Sequence, residues 1–192
     1  MILYNLNDLE VVKIISRPSK ICKTPYVADI ELKNGSIVQA HCASLGCCGL
    51  CEKGCYVMAS PMLSNCPQSK SKICSYKIYL AHVYEEKFIN EKKYINNQVI
   101  GIDPKLAETL VEKSLTCNCF PTLQNIKKYR REAKLGNSRF DFIGIDCNNK
   151  YFILEVKNVP LSDYADVNYL EKKKLIKANA FKNMNFNEKI SY

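Results

Sequence analysis

The stretch SRFDFIGIDCNNKYFILEVKN, residues 138–158, constrains the fold of this chain more than any other segment. It holds two β-rich runs separated by turn-forming residues, which predicts a β-hairpin. A three-residue turn over 147–149 sets Asp146 opposite Lys150 and makes one face of the hairpin wholly apolar. The pairs on that face are Phe142 with Leu154, Phe140 with Val156, and Gly144 with Phe152. A slip of one residue would set Asp141 against Val156, so apolar matching selects the first register.

The same register gathers charge on the other face of the hairpin. Its pairs are Ile145 with Tyr151, Ile143 with Ile153, Asp141 with Glu155, and Arg139 with Lys157. Two facing carboxylates repel, and a hard divalent cation such as Mg²⁺, which takes oxygen ligands, relieves that repulsion. Lys157 can then polarise a water or stabilise the extra negative charge of a phosphoryl-transfer transition state. The alternative is an ion-paired strand end without catalysis, and the spacing alone leaves both interpretations open.

A basic run precedes the hairpin. The chain carries a formal net charge of +9, and positive charge is concentrated over residues 126–139. This run has one acid, Glu132, and six cationic residues, which we predict to contact a phosphate backbone. The cations are Lys127, Lys128, Arg130, Arg131, Lys134 and Arg139. The alternative interpretation is a solvated helix face.

Residues 1–88 are typical of a small β-barrel. Short β-rich runs alternate with turn signals such as Arg17-Pro18 and Asn34-Gly35. The runs are LEVVKIIS, YVADIELKNG, SIVQAH, CYVMAS and SYKIYLAHVYE. Five strands at this spacing predict a barrel, and an OB-fold is one such solution. Alternate residues of the last run share one face, which we interpret as barrel core in preference to a base-stacking platform. They are Tyr76, Ile78, Leu80, His82 and Tyr84.

Residues 89–192 predict a second domain of α/β character, so the expected fold class is mixed α+β. The polar stretch EEKFINEKKYINN is interpreted as the connection between the two domains. After it, DPKLAETLVEKSL predicts a helix with Asp103 as N-cap and Pro104 in the first turn. The basic run and the hairpin follow this helix. The Asn- and Lys-rich tail predicts no further element.

Eleven cysteines without a visible secretion signal indicate free thiols or a metal site rather than a disulfide framework. In HCASLGCCGLCEKGC the candidate zinc ligands are His41, Cys48, Cys51 and Cys55. No second Cys-x2-Cys follows, so we favour cysteines acting as small apolar residues around a Gly-rich turn. The chain has no apolar run long enough to span a membrane and no signal-peptide pattern, so a cytoplasmic location is expected.

The string REAKLGNSRFDF followed by YFILEVKNVPL is similar to the SfsA, or sugar fermentation stimulation protein, family. An Asp followed by Glu-x-Lys on a hairpin also resembles the PD-(D/E)xK nuclease signature. Arg17-Pro18, the Asn34-Gly35 turn and a Gly-containing loop after His41 fit the family's N-terminal part. The loop sequence SLGCCGL resembles a eukaryotic or large-virus branch of the family.

The resemblance implies an N-terminal OB-fold and a C-terminal PD-(D/E)xK nuclease domain, with DNA as the partner. By motif position, Asp141 and Glu155 correspond to carboxylates that bind Mg²⁺ or Mn²⁺, and Lys157 corresponds to the catalytic lysine. Glu132 matches a further acid, with the alternative that it pairs with Lys128 on a helix surface. Family members continue beyond the matching segment. We therefore expect the nuclease domain to be incomplete at its C-terminus, through truncation or through completion by a second polypeptide or a homodimer.

Three functions stay open on the sequence. The first is a Mg²⁺-dependent endodeoxyribonuclease. The second is a DNA-binding or regulatory module that keeps the site and cleaves nothing. The third is a Cys-rich zinc-binding domain.

Overall fold

The computed structural model of the protein describes residues 2–45, 47–62, 74–89, 92–120 and 122–160, with the side chains of 85, 87–89, 92, 94 and 96 left aside. The tail 161–192, where no element was predicted, and the C-terminal part of the predicted second domain lie outside this range. The strands are β1 (Glu10–Ser16), β2 (Val27–Glu31), β3 (Ile37–His41), β4 (Tyr56–Pro61), β5 (Tyr76–Ile89), β6 (Lys92–Gly101), β7 (Ile126–Leu135), β8 (Ser138–Asp146) and β9 (Tyr151–Leu154), and the helix is α1 (Pro104–Thr116). The predicted mixed class is confirmed, with largely antiparallel sheets and one helix in the described segments.

Five strands close into a barrel. One sheet has the order β3-β2-β1-β4-β5-β6, and a parallel pairing of β3 with β5 joins the first five strands into a ring. Alternate residues of these strands fill its interior, and the five strands predicted from the sequence are confirmed. The buried strand residues are Val12, Ile14, Ala28, Ile30, Ala40, Val57, Ala59, Ile78 and Ala81. Cys42, Cys47 and Cys51, from the loop after β3, belong to the same core.

Strand β5 departs from simple alternation at a β-bulge. Met58 pairs with Leu80 and Ala59 pairs with Ile78, which leaves Tyr79 as the extra residue. The bulge moves the core-facing positions from Ile78 to Ala81, both of which are buried. The prediction that alternate residues from 76 to 84 all face the core is therefore wrong beyond Ile78.

The polar stretch predicted to connect two domains is instead part of a long hairpin. Strands β5 and β6 pair continuously from Leu80 with Gly101 to Ile89 with Lys92. The boundary placed between residues 88 and 89 consequently falls next to the hairpin tip. Charged and polar residues dominate here because β6 lies outside the closed ring, where a strand needs no buried face.

Helix α1 is anchored to the barrel at its first turn. Asp103 is the N-cap, as predicted, and its carboxylate accepts a hydrogen bond from the backbone amide of Lys105. Its side chain is fully buried, and Oδ2 lies 2.6 Å from Nζ of Lys77 on β5. One carboxylate therefore both caps the helix and neutralises a lysine of the barrel. No helix in the described segments has the length and apolar character needed to cross a membrane.

The second sheet contains β7, β8 and β9 in that order, all antiparallel. The basic run 126–139 forms β7 and the start of β8, so the alternative interpretation of a helix face is wrong. One face of this sheet, here called the inner face, carries the fully buried Phe142 and lies towards α1. Arg131 on that face pairs with Glu108 and Glu112 of the helix, at 3.2 and 2.8 Å.

A buried carboxylate organises the loop between β1 and β2. Asp29 accepts hydrogen bonds from the hydroxyls of Ser16 and Ser19, at 2.6 and 2.7 Å, and from the backbone amide of Lys20 at 2.9 Å. Gln39 adds a fourth donor at 3.3 Å. Burial opposes ionisation, but these four donors together outweigh it and lower the pKa of Asp29 to about 2.

We expect Asp29→Asn to destabilise the protein by about 2 kcal/mol at neutral pH, because the folded state binds the ionised form preferentially. The lowered pKa means that this contribution is present above about pH 4 and is lost as the pH falls towards about 2. Urea unfolding of both proteins across this range measures it, and the difference between them should shrink in acid. Glu31→Gln, at an exposed position of the same strand, is the matched control. If the difference in free energy of unfolding between wild type and Asp29→Asn stays the same in acid, Asp29 does not stabilise the fold through its ionised form.

Candidate functional site

The β8–β9 hairpin adopts the predicted register. Phe142 pairs with Leu154, and Gly144 pairs with Phe152. The turn also follows the prediction, since the amide of Asp146 donates to the carbonyl of Lys150 at 3.0 Å. The Asp146 carboxylate accepts from the amide of Lys150 as well, at 2.8 Å, which fixes the turn from the side-chain direction.

Gly144 is the tightest point of this hairpin. A Cβ built there would lie 2.3 Å from Cζ of Phe152 and 2.7 Å from the carbonyl oxygen of Lys128 on β7. The Phe152 ring therefore occupies the space that a side chain at residue 144 would need. Glycine at this position leaves room for the Phe152 ring over the middle strand.

Interpolating between the β7–β8 pairs, and continuing the β8–β9 register past the end of β9 at Leu154, aligns three acids that are here called the acid row. Arg131 pairs with Phe142 and Ala133 with Phe140, which places Glu132 opposite Asp141. Extending the β8–β9 register by one position places Asp141 opposite Glu155. Because side chains alternate along a strand, Asp141 belongs to the face opposite Phe142, here called the outer face. Glu132 departs from regular strand geometry, since its φ is +49° and its carboxylate also reaches Lys105 of α1.

Each acid has a partner within the chain. Oδ2 of Asp141 accepts the backbone amide of Val156 at 2.6 Å, and Oε1 of Glu155 lies 2.6 Å from Nζ of Lys157. Glu132 pairs with Arg139 and lies 3.6 Å from Nζ of Lys105, in the first turn of α1.

Lys157 and Glu155 stabilise each other's charged form. The hydrogen bond from Lys157 lowers the pKa of Glu155, and the same bond raises the pKa of Lys157. The negative charge of Asp141 adds to the rise in the pKa of Lys157. The lysine is therefore an ammonium group at neutral pH.

The basic residues predicted to bind phosphate separate onto two faces. Lys128, Arg130, Lys134 and Arg139 take outer-face positions by strand alternation. Arg131 takes an inner-face position, where its guanidinium lies over the Phe142 ring, 5.7 Å from the centroid. Lys127, beside an irregularity in the pairing, donates to the side chain of Asn149 at 3.4 Å. Only strand periodicity reveals this division, and the sequence alone did not establish a strand here.

The candidate zinc ligands do not converge. Cys51 is buried in the barrel core, whereas Cys48 is exposed with Sγ 3.5 Å from the carbonyl oxygen of Pro160. Cys55 contacts the carbonyl of Gly49 at 3.2 Å, and His41 ends β3. Within the described part of the chain, no three His, Cys, Asp or Glu side chains are placed together to hold a metal ion. Glu132, Asp141 and Glu155 are likewise not close enough to one another to form such a group. The zinc alternative has no support.

Two contacts that the sequence did not indicate hold the Glu-x-Lys segment against the barrel. Nδ2 of Asn158 donates to the carbonyl of Gly101, at the end of β6, at 3.2 Å. The Cys48 contact with Pro160 ties the same segment to the Gly- and Cys-rich loop. That loop is in turn fixed by Arg17, whose guanidinium donates to the carbonyls of Pro25 and Ser44.

The described elements form a barrel followed by a helix and a three-stranded sheet. This architecture is similar to that of a solved structure described as "The structure of Pyrococcus Furiosus SfsA in complex with Ca2+", with a TM-score of 0.63. The match covers 92% of this chain and 68% of that chain at 18% sequence identity. At that identity the likeness establishes a shared fold.

The sequence comparisons all match one family. Residues 105–169 match the family described as "Sugar fermentation stimulation protein RE domain". The chain is 32% identical over 140 residues to a sugar fermentation stimulation protein homolog of Geotalea daltonii, covering 72% of this chain and 53% of that protein. It is 34% identical over 144 residues to a homolog of Trichodesmium erythraeum, covering 72% and 51%. The chain spans about half the length of these relatives and is similar to them over that part.

We expect Gly144→Ala to destabilise the protein by about 1–3 kcal/mol, because the added methyl group collides with Phe152 and with the β7 backbone. Urea denaturation measures the loss. Gly101→Ala is the matched control, since its nearest neighbour would be Oδ1 of Asn158 at an ordinary 3.9 Å.

A double variant, Gly144→Ala with Phe152→Ala, separates the two collisions. It should remove the clash with the ring and retain the one with the Lys128 carbonyl. Equal stability of wild type and Gly144→Ala would show that the close approach does not set the hairpin geometry.

Proposed function

We propose that this chain is a DNA-binding protein of the SfsA family whose outer face carries a metal-dependent site for phosphodiester hydrolysis. The observation that carries the proposal is that Asp141 accepts the backbone amide of Val156, the residue after Glu155, while Glu132 lies on the adjacent strand β7 between the pairs of Arg131 and Ala133. Lys134 pairs with Arg139 in the next row, and Lys157, beyond the end of β9, forms an ion pair with Glu155. Carboxylates for a cation beside ammonium and guanidinium groups for a phosphate are the parts that such a reaction needs.

The donor set suits a hard divalent cation, which we propose to be Mg²⁺ or Mn²⁺. Asp141 and Glu155 supply oxygen ligands, and Mg²⁺ is commonly held by one or two carboxylates together with waters and substrate phosphates. Such a site does not require three converging protein ligands. The Pyrococcus furiosus SfsA was solved with Ca²⁺, another oxygen-seeking cation. When bound, the ion would neutralise charge on the phosphate and lower the pKa of a coordinated water.

The chain's own residues divide the remaining tasks. The Val156 amide orients the Asp141 carboxylate through the hydrogen bond to Oδ2. Lys157 is held protonated by Glu155, so we assign it to stabilise negative charge on the phosphate rather than to remove a proton. Glu132 is held by Arg139 and Lys105 and would act as the third acid once Arg139 turns to a phosphate.

We further propose that the barrel is an OB-fold and that the three-stranded sheet belongs to a PD-(D/E)xK nuclease domain. The ring order β1-β2-β3-β5-β4, closed by parallel β3 and β5, fits a five-stranded Greek-key barrel of the OB type.

A specific observation favours a second candidate, a DNA-binding module that does not cleave. All three acids already have partners within the chain, and Glu155 with Lys157 forms an ion pair that requires no metal. In this candidate the outer face binds phosphates through its cations, and the acids fix the positions of those cations.

Substitutions in the acid row separate the two candidates. We expect Asp141→Asn and Glu155→Gln to reduce Mg²⁺-dependent plasmid nicking by about 100-fold or more, as expected for loss of a group that stabilises the transition state. Glu155→Gln should lower apo stability slightly, because the ion pair with Lys157 is lost. Asp141→Asn should leave it nearly unchanged, because the amide oxygen can still accept from the Val156 amide. Lys157→Ala should lose nicking and keep metal binding, since the ammonium group is not a ligand.

The control for this series is Glu52→Gln, at an exposed position of the barrel loop. Thermal melts of all variants with and without Mg²⁺ provide a second measurement. A destabilised apo Asp141→Asn, combined with a wild type that Mg²⁺ does not stabilise, would favour the ion-paired, non-cleaving module.

DNA binding itself is tested by two neighbouring arginines. Arg130 and Arg131 are adjacent on β7 but belong to opposite faces. We expect Arg130→Gln to reduce the slope of log affinity against log salt by about 0.7–0.9, the contribution of one phosphate contact. Arg131→Gln, with the same change in charge, should leave the slope unaltered. Equal slopes for wild type and both variants would show that the outer face does not contact phosphate.

A further inference from the structure

An apolar strip lies beside the acid row on the outer face. By the observed register, the two rows on the side away from Lys157 contain Ile143 with Ile153, and Ile145 with Tyr151. Tyr151 is 83% exposed and Ile153 is 50% exposed. Large apolar side chains this exposed, side by side on an otherwise charged sheet face, indicate a surface that binds a partner.

Cations border the strip along one edge. Arg130 pairs with Ile143, and Lys128 pairs with Ile145, so each apolar row ends in a positive charge on β7. Successive rows are about 7 Å apart, since residues two apart along a strand share a face. A series of cations at this spacing next to an aromatic and aliphatic platform is how proteins bind single-stranded nucleic acid, with phosphates on the cations and bases on the platform.

The strip is continuous with the acid row. Ile153 is two residues from Glu155 and Tyr151 is four, which puts the exposed ring about 14 Å along the strand from the acid. A strand of DNA that follows Lys128 and Arg130 along β7 therefore reaches the acid row at Glu132. In an intact duplex the base faces are stacked on one another and are not available to Tyr151.

We propose that the outer face binds an unpaired segment of DNA, with its bases over Tyr151 and Ile153 and its phosphates on Lys128 and Arg130, and leads that strand across the acid row. The inference rests on the proposed DNA-binding function and adds a preference for single-stranded over duplex DNA. Charge complementarity and continuity with the acid row favour nucleic acid over an apolar protein partner. Tyr151 and Ile153 are then specificity-determining residues.

Binding without cleavage tests the proposal. The probes are a single-stranded oligonucleotide containing 2-aminopurine and the matching duplex, titrated by fluorescence with EDTA present so that no cleavage occurs. We expect Tyr151→Ala to weaken single-strand binding by about 5-fold or more, the effect of losing one base–aromatic stack. It should also abolish the quenching of 2-aminopurine and leave duplex affinity within about 2-fold. Tyr151→Phe should keep both the single-strand affinity and the quenching of 2-aminopurine, because the ring and not the hydroxyl stacks on the base.

Two further variants sharpen the result. Ile153→Ala should give a smaller loss in the same direction. Tyr26→Ala, which removes a 44% exposed tyrosine from the barrel end of the chain, should have no effect. Both tyrosines are exposed, so neither substitution should affect folding, and a thermal melt verifies this.

Three outcomes would overturn the proposal. If wild type binds DNA and Tyr151→Ala binds single strands equally well, the base platform is refuted while the proposed function stands. If wild type binds neither single-stranded nor duplex DNA, the proposed function fails and the base platform fails with it. If sedimentation shows a wild-type dimer that Tyr151→Ala dissociates, the strip is a protein interface.

Discussion

Apolar packing across the β8–β9 hairpin is the constraint on which the candidate site depends. Phe142 is fully buried, and the Phe152 ring fills the space above Gly144, so the two strands fit in one register. A shift by one residue would turn every side chain of β9 to the other face, because the side-chain period of a strand is two. The nearness of Asp141 to the Glu155 segment is a consequence of this packing. Hydrophobic pairing on one face therefore positions the charged groups on the other.

The barrel contributes to the site by holding its two flanks. Asp103 joins the start of α1 to Lys77 in the barrel wall, and Lys105 in the same helical turn lies near Glu132. At the other flank Asn158 contacts the last residue of β6 and Cys48 contacts Pro160. These contacts explain why the Glu-x-Lys segment, which continues beyond the end of β9, still keeps a defined place beside Asp141.

Sequence patterns predicted the secondary-structure elements better than the sheet face on which each side chain lies. The five barrel strands, the Asp103 cap and the hairpin register were correct because turn chemistry, capping and apolar matching are local. The bulge at Tyr79 was not foreseen, since one extra residue in β5 is determined by its pairing with β4. The stretch over 85–97 was taken for a linker because its composition is polar, although β6 can be polar where it extends beyond the closed ring. Arg131 was grouped with the DNA-facing cations because its strand geometry was unknown.

By itself the sequence determined the register of the four observed hairpin pairs and the resemblance to the SfsA family, because both follow from residue type and spacing. Only the tertiary structure decided that the basic run is a strand, and this brought Glu132 into the row with Asp141 and Glu155. It also separated Arg130 from Arg131 and left Tyr151 exposed on the outer face. The physical reason is that strand pairing joins residues distant in sequence, and the face on which a side chain lies depends on the neighbouring strand as much as on its own.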